Sequence, residues 1–441
     1  MLGSLGSLLA AFKFPDLRKR ILFVFLMFGV FVIGLHIPVP GITRAGMMRL
    51  EQLVESLGFL GLFDIFSGGA FRKFSVLAMS ITPYINASII FQLLGIAVPR
   101  IHQMMKEGGP EGQKKISQWT RYLTMILAAF QAFGICFWLR SQKPPIIEFG
   151  PFQLISMVLA LTAGTAFLMW MGNQITDKGI GNGVSLVIFC GIVIRMPSEV
   201  SLTWRAWSAG TVRWWNVGAL LLVWVFTVAA IITIQQGQRK IPLQHAKRVV
   251  GTRVYGGAST SFPIRVNQAG VIPIIFAIAI ALFPAQIASM MENAPPGFAH
   301  NIGAFLVPIT SFFSPGNSIA GSAFYFLLVV FFTYFYTAVT FNVPDVSDNL
   351  KKYGSFIPGI RPGKPTESFL DKVLTRITLG GAIFLGVIAL LSYYVPELTG
   401  VSSFRSVVGG TSLLILVGVA LETMQQIEAH LVMRQYEGFI R

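Results

Sequence analysis

Charge is scarce in this chain. Asp, Glu, Lys and Arg make up only 12% of its 441 residues, while 54% are hydrophobic. A soluble domain carries about 25% charged residues, so the composition excludes an ordinary soluble fold and points to a polytopic membrane protein. Cysteine is nearly absent. Cys136 and Cys190 both lie in apolar runs. Two thiols cannot complete a zinc site and their spacing matches no redox motif, so both read as small buried apolar residues. The five histidines are scattered and form no HExxH. Gly108-Gly109-Pro110-Glu111-Gly112-Gln113-Lys114 lacks the spacing and the hydroxyl residue of a phosphate loop. Gly179-Ile180-Gly181-Asn182-Gly183 joins two apolar runs rather than a strand and a helix, so it reads as a tight turn. No small-residue cleavage site follows the first long apolar run, Ile21 to Pro40, which reads as a first span and not a signal peptide. Enzymatic chemistry, metal and cofactor are therefore not expected. The polar groups in mid-run are uncharged, chiefly Asn86, Gln92 and Gln131, with Glu422 at a run's end. Coupled transporters keep ionisable groups inside the membrane. Their absence argues for a passive conduit driven from outside.

Ten charge-poor apolar runs are present: Ile21–Ile37, Phe74–Val98, Tyr122–Leu139, Phe152–Met171, Val184–Ile194, Trp214–Ile234, Gly270–Met291, Ser322–Phe341, Thr378–Val395 and Val407–Leu421. The fifth is short and is expected to extend. The net charge of +16 could suggest nucleic acid, so the placement of the charge decides. With the N-terminus in the cytoplasm, 24 of the 34 basic residues fall on the cytoplasmic side, as the positive-inside rule requires. An even number of spans then puts both termini inside.

The stretch Phe59–Val98 stands apart. Phe59 to Phe66 is apolar but far below the roughly 20 residues a spanning helix needs. Ser67-Gly68-Gly69 then break the helix, Arg72-Lys73 follow, and a long apolar run resumes at Phe74. Such a segment is either an interfacial or re-entrant helix, or a movable stopper in a pore. Non-helical backbone survives at membrane depth only inside protein or beside a water-filled cavity.

Two cytoplasmic loops are long enough to be functional. Gln235 to Asn267 holds six basic residues and no acidic one, and its Val249-Val250 and Arg253-Val254-Tyr255 suggest a short hairpin. Asn342 to Thr375 holds Arg361 within Ile360-Arg361-Pro362-Gly363. A surface this basic suits a phosphate-rich or acidic partner. On the other side, Glu292 to Gly321 is rich in proline and glycine and reads as irregular, and Trp204, Trp207, Trp214 and Trp215 form an interfacial aromatic belt. Five runs precede Gly210 and five follow it. An odd number per half inverts the second half, and inverted repeats place a pathway between them. The expected halves are residues 1–209 and 210–441. Pro83 and Pro273, each early in the second run of its half, agree with that symmetry.

Four motifs are specific: Asp64-Ile65-Phe66-Ser67-Gly68-Gly69 ahead of Pro83-Tyr84-Ile85-Asn86-Ala87-Ser88; Asp177-Lys178-Gly179-Ile180-Gly181-Asn182-Gly183; Arg265-Val266-Asn267-Gln268-Ala269-Gly270-Val271-Ile272-Pro273; and Gly409-Gly410-Thr411-Ser412-Leu413-Leu414-Ile415. On these the chain resembles, over nearly its whole length, the bacterial SecY family of protein-translocation channels. The resemblance implies an all-α membrane protein of ten transmembrane helices, whose two inverted halves form a clamshell around an hourglass pore. It implies a pore ring of Ile81, Ile85, Ile188, Ile192, Ile275 and Ile415. It implies a plug formed by Leu60, Gly61, Leu62, Phe63, Asp64, Ile65, Phe66, Ser67, Gly68 and Gly69, extending to Ala70, with the two glycines as its hinge. It implies a lateral gate between the second and seventh runs, with Asn86, Gln131 and Asn267 at the seam, through which signal sequences and membrane helices leave for lipid. Asn86 stands where many relatives have a smaller hydroxyl residue, which would strengthen the gate slightly. The basic loops, through Arg239, Lys240, Lys247, Arg248, Arg253 and Arg361, would dock the SecA ATPase or the ribosome. SecE and SecG would be membrane partners. A secondary transporter for a small solute is the alternative from another class.

Overall fold

The computed structural model describes residues 12–56, 64, 67–106, 108–142, 145–147, 150–245, 248–250, 253–255, 259–292, 298–313, 315–316, 318–400 and 409–437. In chain order the helices are α1 (Pro15–Gly34), α2 (Arg44–Ser56), α3 (Thr82–Ala97), α4 (Pro99–Lys106), α5 (Gly109–Ser141), α6 (Pro151–Lys178), α7 (Gly183–Ser208) and α8 (Trp214–Gln236). Four strands follow: β1 (Gln238–His245), β2 (Arg248–Val250), β3 (Arg253–Tyr255) and β4 (Ser259–Arg265). Then come α9 (Ile272–Glu292), α10 (Phe298–Phe312), α11 (Ile319–Thr340), α12 (Val343–Lys352), β5 (Ser355–Phe356), α13 (Lys364–Thr399) and α14 (Gly410–Glu437).

Each of the ten apolar runs overlaps a helix. Among the described residues seven helices are long and apolar enough to cross a membrane, or eight if the bent pair α3–α4 is one span. Proline opens α1, α3, α5, α6, α12 and α13, where its missing N–H belongs to a helix end that would lack an intrahelical partner anyway. α9 likewise has Pro273 as its second residue, matching Pro83 in α3. The turn between α6 and α7 is tight, as its glycines predict. Asn182 caps α7 by accepting hydrogen bonds from the backbone N–H groups of Val184 (3.1 Å) and Ser185 (3.3 Å).

Three expectations are corrected. The second apolar run does not enter a helix at Phe74; α3 starts eight residues later. Residues 67–81 form consecutive turns, with Phe74 and Ser80 at positive φ. Their backbone bonds close locally and across to the end of α1, where Val39 N–H donates to Phe74 O and Val76 N–H to Ile37 O, both at 2.9 Å. Hydropathy registers only that Phe71, Phe74, Leu77 and Met79 are buried, not that their backbone is bent. Pro83 adds the local reason, because the residue before a proline is disfavoured in a helix and the helix can begin only there. Second, the fifth run is longer than its apolar core. α7 continues to Ser208 and carries the buried Arg195 and Glu199, so ionisable groups do sit in a helix of spanning length. Third, the segment after Glu292 is not wholly irregular, since it contains α10, which packs on α9.

Besides a core shared by α2, the 67–81 turns, α5 and α6, two large apolar cores result. One joins α1, the 67–81 turns, α6 and α7, and reaches Ile415 and Val419 of α14. The other joins α8, α9, α11, α13 and α14, and takes in Ile89 of α3. α14 packs on α7 as well as on α8 and α13, so it touches helices of both expected halves. Backbones approach closely where the 67–81 turns meet the helices. A Cβ on Gly164 of α6 would lie 1.9 Å from the Val76 carbonyl oxygen, and one on Gly68 would lie 3.0 Å from Gly191 Cα of α7.

Candidate pore, seam and cytoplasmic docking face

Ile81 precedes the first turn of α3, Ile188 and Ile192 lie one turn apart on α7, and Ile415 lies in the second turn of α14. The fold brings all four, buried, into a single apolar cluster, with Ile85 packed against it one turn beyond Ile81. The i, i+4 spacing puts each pair on one helix face. Ile275 is half-buried and outside this cluster, against which Val271, just ahead of α9, packs. Five of the six isoleucines therefore converge and the sixth does not. Branched aliphatic side chains at such a convergence exclude water and ions without offering polar contacts.

Of the residues expected to form the plug, Leu60, Gly61, Leu62, Phe63, Ile65 and Phe66 lie outside the described residues. Asp64, Ser67, Gly68 and Gly69 are described, and they reveal an arrangement that hydropathy missed. Asp64 is fully buried (0% exposed). Its Oδ1 accepts from Arg72 N–H at 2.9 Å and its Oδ2 from Arg195 Nη1 at 2.9 Å. Arg72 Nε lies 3.4 Å from the same Oδ2. Arg195 Nη2 also donates to Glu199 Oε1 at 2.6 Å, and Arg72 Nη1 to Glu51 Oε1 at 3.4 Å. A carboxylate this deep is tenable only when paired and hydrogen-bonded. The backbone is held too: Gly69 N–H (2.9 Å) and Ser67 Oγ (3.1 Å) both donate to Asp64 O. Gly68 and Gly69 have φ of +69° and +85°, the left-handed region glycine tolerates without strain. The signal in the sequence was Arg195 and Glu199, one helical turn apart just past the fifth apolar run.

At the seam Ile89 of α3 shares a core with Ile274, Ala277 and Ile278 of α9, and Ile85 and Leu93 pack on it. Asn267 is buried, and its Nδ2 donates to Gly270 O at 3.0 Å, shaping the turn into α9. Asn86 and Gln131 are half-buried on α3 and α5. No hydrogen bond among the described residues joins Asn86, Gln131 and Asn267 to one another.

The two basic loops form one body. β1 pairs antiparallel with β4 from Gln238↔Arg265 to Gln244↔Ser259, and with β5 of the second loop through Gln244↔Phe356 and His245↔Ser355. The expected short hairpin is present as β2–β3, with Val249 opposite Val254; the longer β1–β4 pair was not anticipated. Ile241, Leu243 and Ile264 from the first loop bury against Val343, Ile357, Leu370 and Leu374 from the second. His245 links the loops further through its Nδ1, 2.8 Å from Ser355 Oγ, while its Nε2 lies 3.1 Å from Thr260 Oγ1 within the first loop. Arg239, Lys240 and Arg361 are exposed on this body, and Thr366 Oγ1 donates to Arg361 O at 2.9 Å, fixing the turn that presents it. Arg248 and Arg253 lie on β2 and β3; Lys247 is outside the described residues.

The comparisons with known proteins agree with one another. The family model for SecY matches residues 75–424. The chain is 45% identical over 446 residues to the protein translocase subunit SecY of Thermotoga maritima, covering 98% of this chain and 96% of that one. Among solved structures it resembles a SecY whose plug domain stabilises the closed state of the translocation channel and maintains a membrane seal (TM-score 0.65, 16% identity, 93% of this chain and 92% of that one). It also resembles Sec61 in the canine ribosome–channel complex from the endoplasmic reticulum (TM-score 0.58, 14% identity, 93% and 92%). At such identities the last two speak for the fold alone.

Proposed function

Because this chain belongs to the SecY family, we propose that it is the protein-conducting channel of a bacterial translocon, with a pore running between residues 1–209 and 210–441. The observation that carries this reading is the convergence of Ile81, Ile85, Ile188, Ile192 and Ile415 from three separated parts of the chain into one apolar cluster. The segment from Leu60 to Gly69 closes that pore from outside and swings on Gly68 and Gly69. The α3–α9 seam is the lateral gate. Its contacts are chiefly aliphatic, so a hydrophobic signal sequence can replace them one for one. Ile275 serves at the ring only when the halves part, since it stands outside the closed cluster.

The chain has no catalytic part in this reading. Energy comes from the SecA ATPase or from the ribosome, docked on the body built from β1–β5, α12 and the start of α13. Arg239, Lys240, Lys247, Arg248, Arg253 and Arg361 supply its charge. Because β5 and the shared apolar core tie the two loops together, a force applied to either loop is felt by α8, α9, α11 and α13. SecE and SecG complete the complex. The channel sits in the cytoplasmic membrane with ten spans and both termini inside.

Reconstitution tests the proposal. Vesicles containing the purified chain with SecE and SecG, supplied with SecA and ATP, should render an unfolded preprotein resistant to external protease. Saturable uptake of a small solute, with no protected preprotein, would favour a transporter and overturn the proposal.

A further inference from the structure

Five charged side chains alternate in sign along one path: Glu51, Arg72, Asp64, Arg195 and Glu199. Each arginine sits between two carboxylates, and the carboxylate common to both is Asp64. The other four residues lie on elements that pack on one another, α2 on the 67–81 turns and those turns on α7. Glu51 is on α2, Arg195 and Glu199 are on α7, and Arg72 is in the turns bridged to the end of α1. Asp64 alone is on the far side of the Gly68–Gly69 hinge. If it departs, Arg195 keeps Glu199 and Arg72 keeps Glu51. The four that remain carry two positive and two negative charges, so no buried guanidinium is stranded.

From this we infer that Asp64 is the detachable link of a charge relay, that Arg195 is the residue that positions it, and that Glu199 sets how readily it lets go. The inference rests on the reading of Leu60–Gly69 as the plug. Removing one partner of a buried ion pair is costly mainly because the other charge is left unpaired in a poorly solvated place. A second carboxylate on Arg195 lowers that cost for the open state. Neutralising Asp64 removes the link from the closed state. Neutralising Glu199 removes the replacement partner from the open state. The two substitutions remove the same charge type a few ångströms apart, yet they act on opposite sides of the equilibrium.

That opposition is the test. Asp64→Asn and Glu199→Gln preserve shape and the ability to accept a hydrogen bond. In reconstituted translocon vesicles, Asp64→Asn should raise resting ion leak by at least about tenfold and let a preprotein with a defective signal sequence through. Glu199→Gln should reduce leak and slow the onset of translocation of a normal preprotein by a similar factor. Arg195→Lys, which keeps the charge but loses the two-pronged donor, should fall between wild type and Asp64→Asn. Co-purification with SecE and an unchanged melting profile verify folding. If Asp64→Asn and Glu199→Gln shift leak in the same direction, or neither shifts it, the relay is only structural and the inference is wrong. A deletion of residues 60–66 separates the two levels. Increased leak in the deletion with no effect of the point variants rejects the relay alone. Unchanged leak in the deletion rejects the plug and the relay with it.

Discussion

Replacing Ile81, Ile85 and Ile188 together by serine should turn the resting channel into an ion leak. Ile81 and Ile188 are buried, and Ile85 packs against their cluster. Each replacement removes three apolar carbons and adds one hydroxyl. At about 0.8 kcal/mol per buried CH₂, the constriction loses about 2–3 kcal/mol of water-excluding tendency per site, or about 6–8 kcal/mol in all. If even a fifth of that appears as a lower barrier to water entry, wetting becomes about tenfold more frequent. Conductance across planar bilayers, with the channel incorporated without ATP or preprotein, reads this directly. Export of preproteins with weak signal sequences should rise in parallel, because the closed state has lost its stabilising contacts. Unchanged conductance in a channel that still binds SecE would refute the reasoning, since it would show that these side chains face ordinary helix packing and not a pore.

Arg361→Glu should abolish SecA-driven export while the protein still inserts, measured by protease protection and membrane fractionation; normal export would remove Arg361 from the docking face. Gly164→Ala drives a Cβ into the Val76 carbonyl oxygen, which the ideal position would approach to 1.9 Å, and should destabilise the complex by about 2–3 kcal/mol, seen as a lowered melting temperature; an unchanged melt would mean α6 and the 67–81 turns are not so closely packed. His245→Ala removes one polar link between the two basic loops, to Ser355, and one within the first loop, to Thr260, and should cost about 1–2 kcal/mol locally, accelerating amide exchange at Ser355 and Phe356 but not at Val329 in α11; equal exchange at both would show that the loops do not form one body.

Much of this architecture was legible in the sequence because lipid imposes a simple rule: apolar runs become helices. All ten runs overlap helices, and Asn182 with its flanking glycines marked a true turn. What hydropathy could not convey was backbone path. The 67–81 segment is as apolar as a helix but bends, because Phe74 and Ser80 adopt positive φ and Pro83 delays the helix start. Nor could it convey partnership at a distance. Arg195 lies just outside an apolar run; only the fold shows Asp64, 131 positions earlier, 2.9 Å away. The same applies to β5, a two-residue strand that becomes visible only once β1 is beside it. Motif resemblance named six isoleucines for the ring; five of them meet in one apolar cluster and Ile275 stands apart. Helix periodicity assigns a face but not the distance between two halves.

The central claim is that a polypeptide passes through the isoleucine constriction, and a disulfide trap tests it most directly. In a chain with Cys136 and Cys190 replaced by alanine, Ile188→Cys should form a disulfide with a single cysteine placed mid-way along a preprotein stalled during SecA-driven transit. Leu222→Cys, on the outward face of α8 where Leu222 is 69% exposed, should not. Crosslinking at position 222 in preference to 188 would contradict the account.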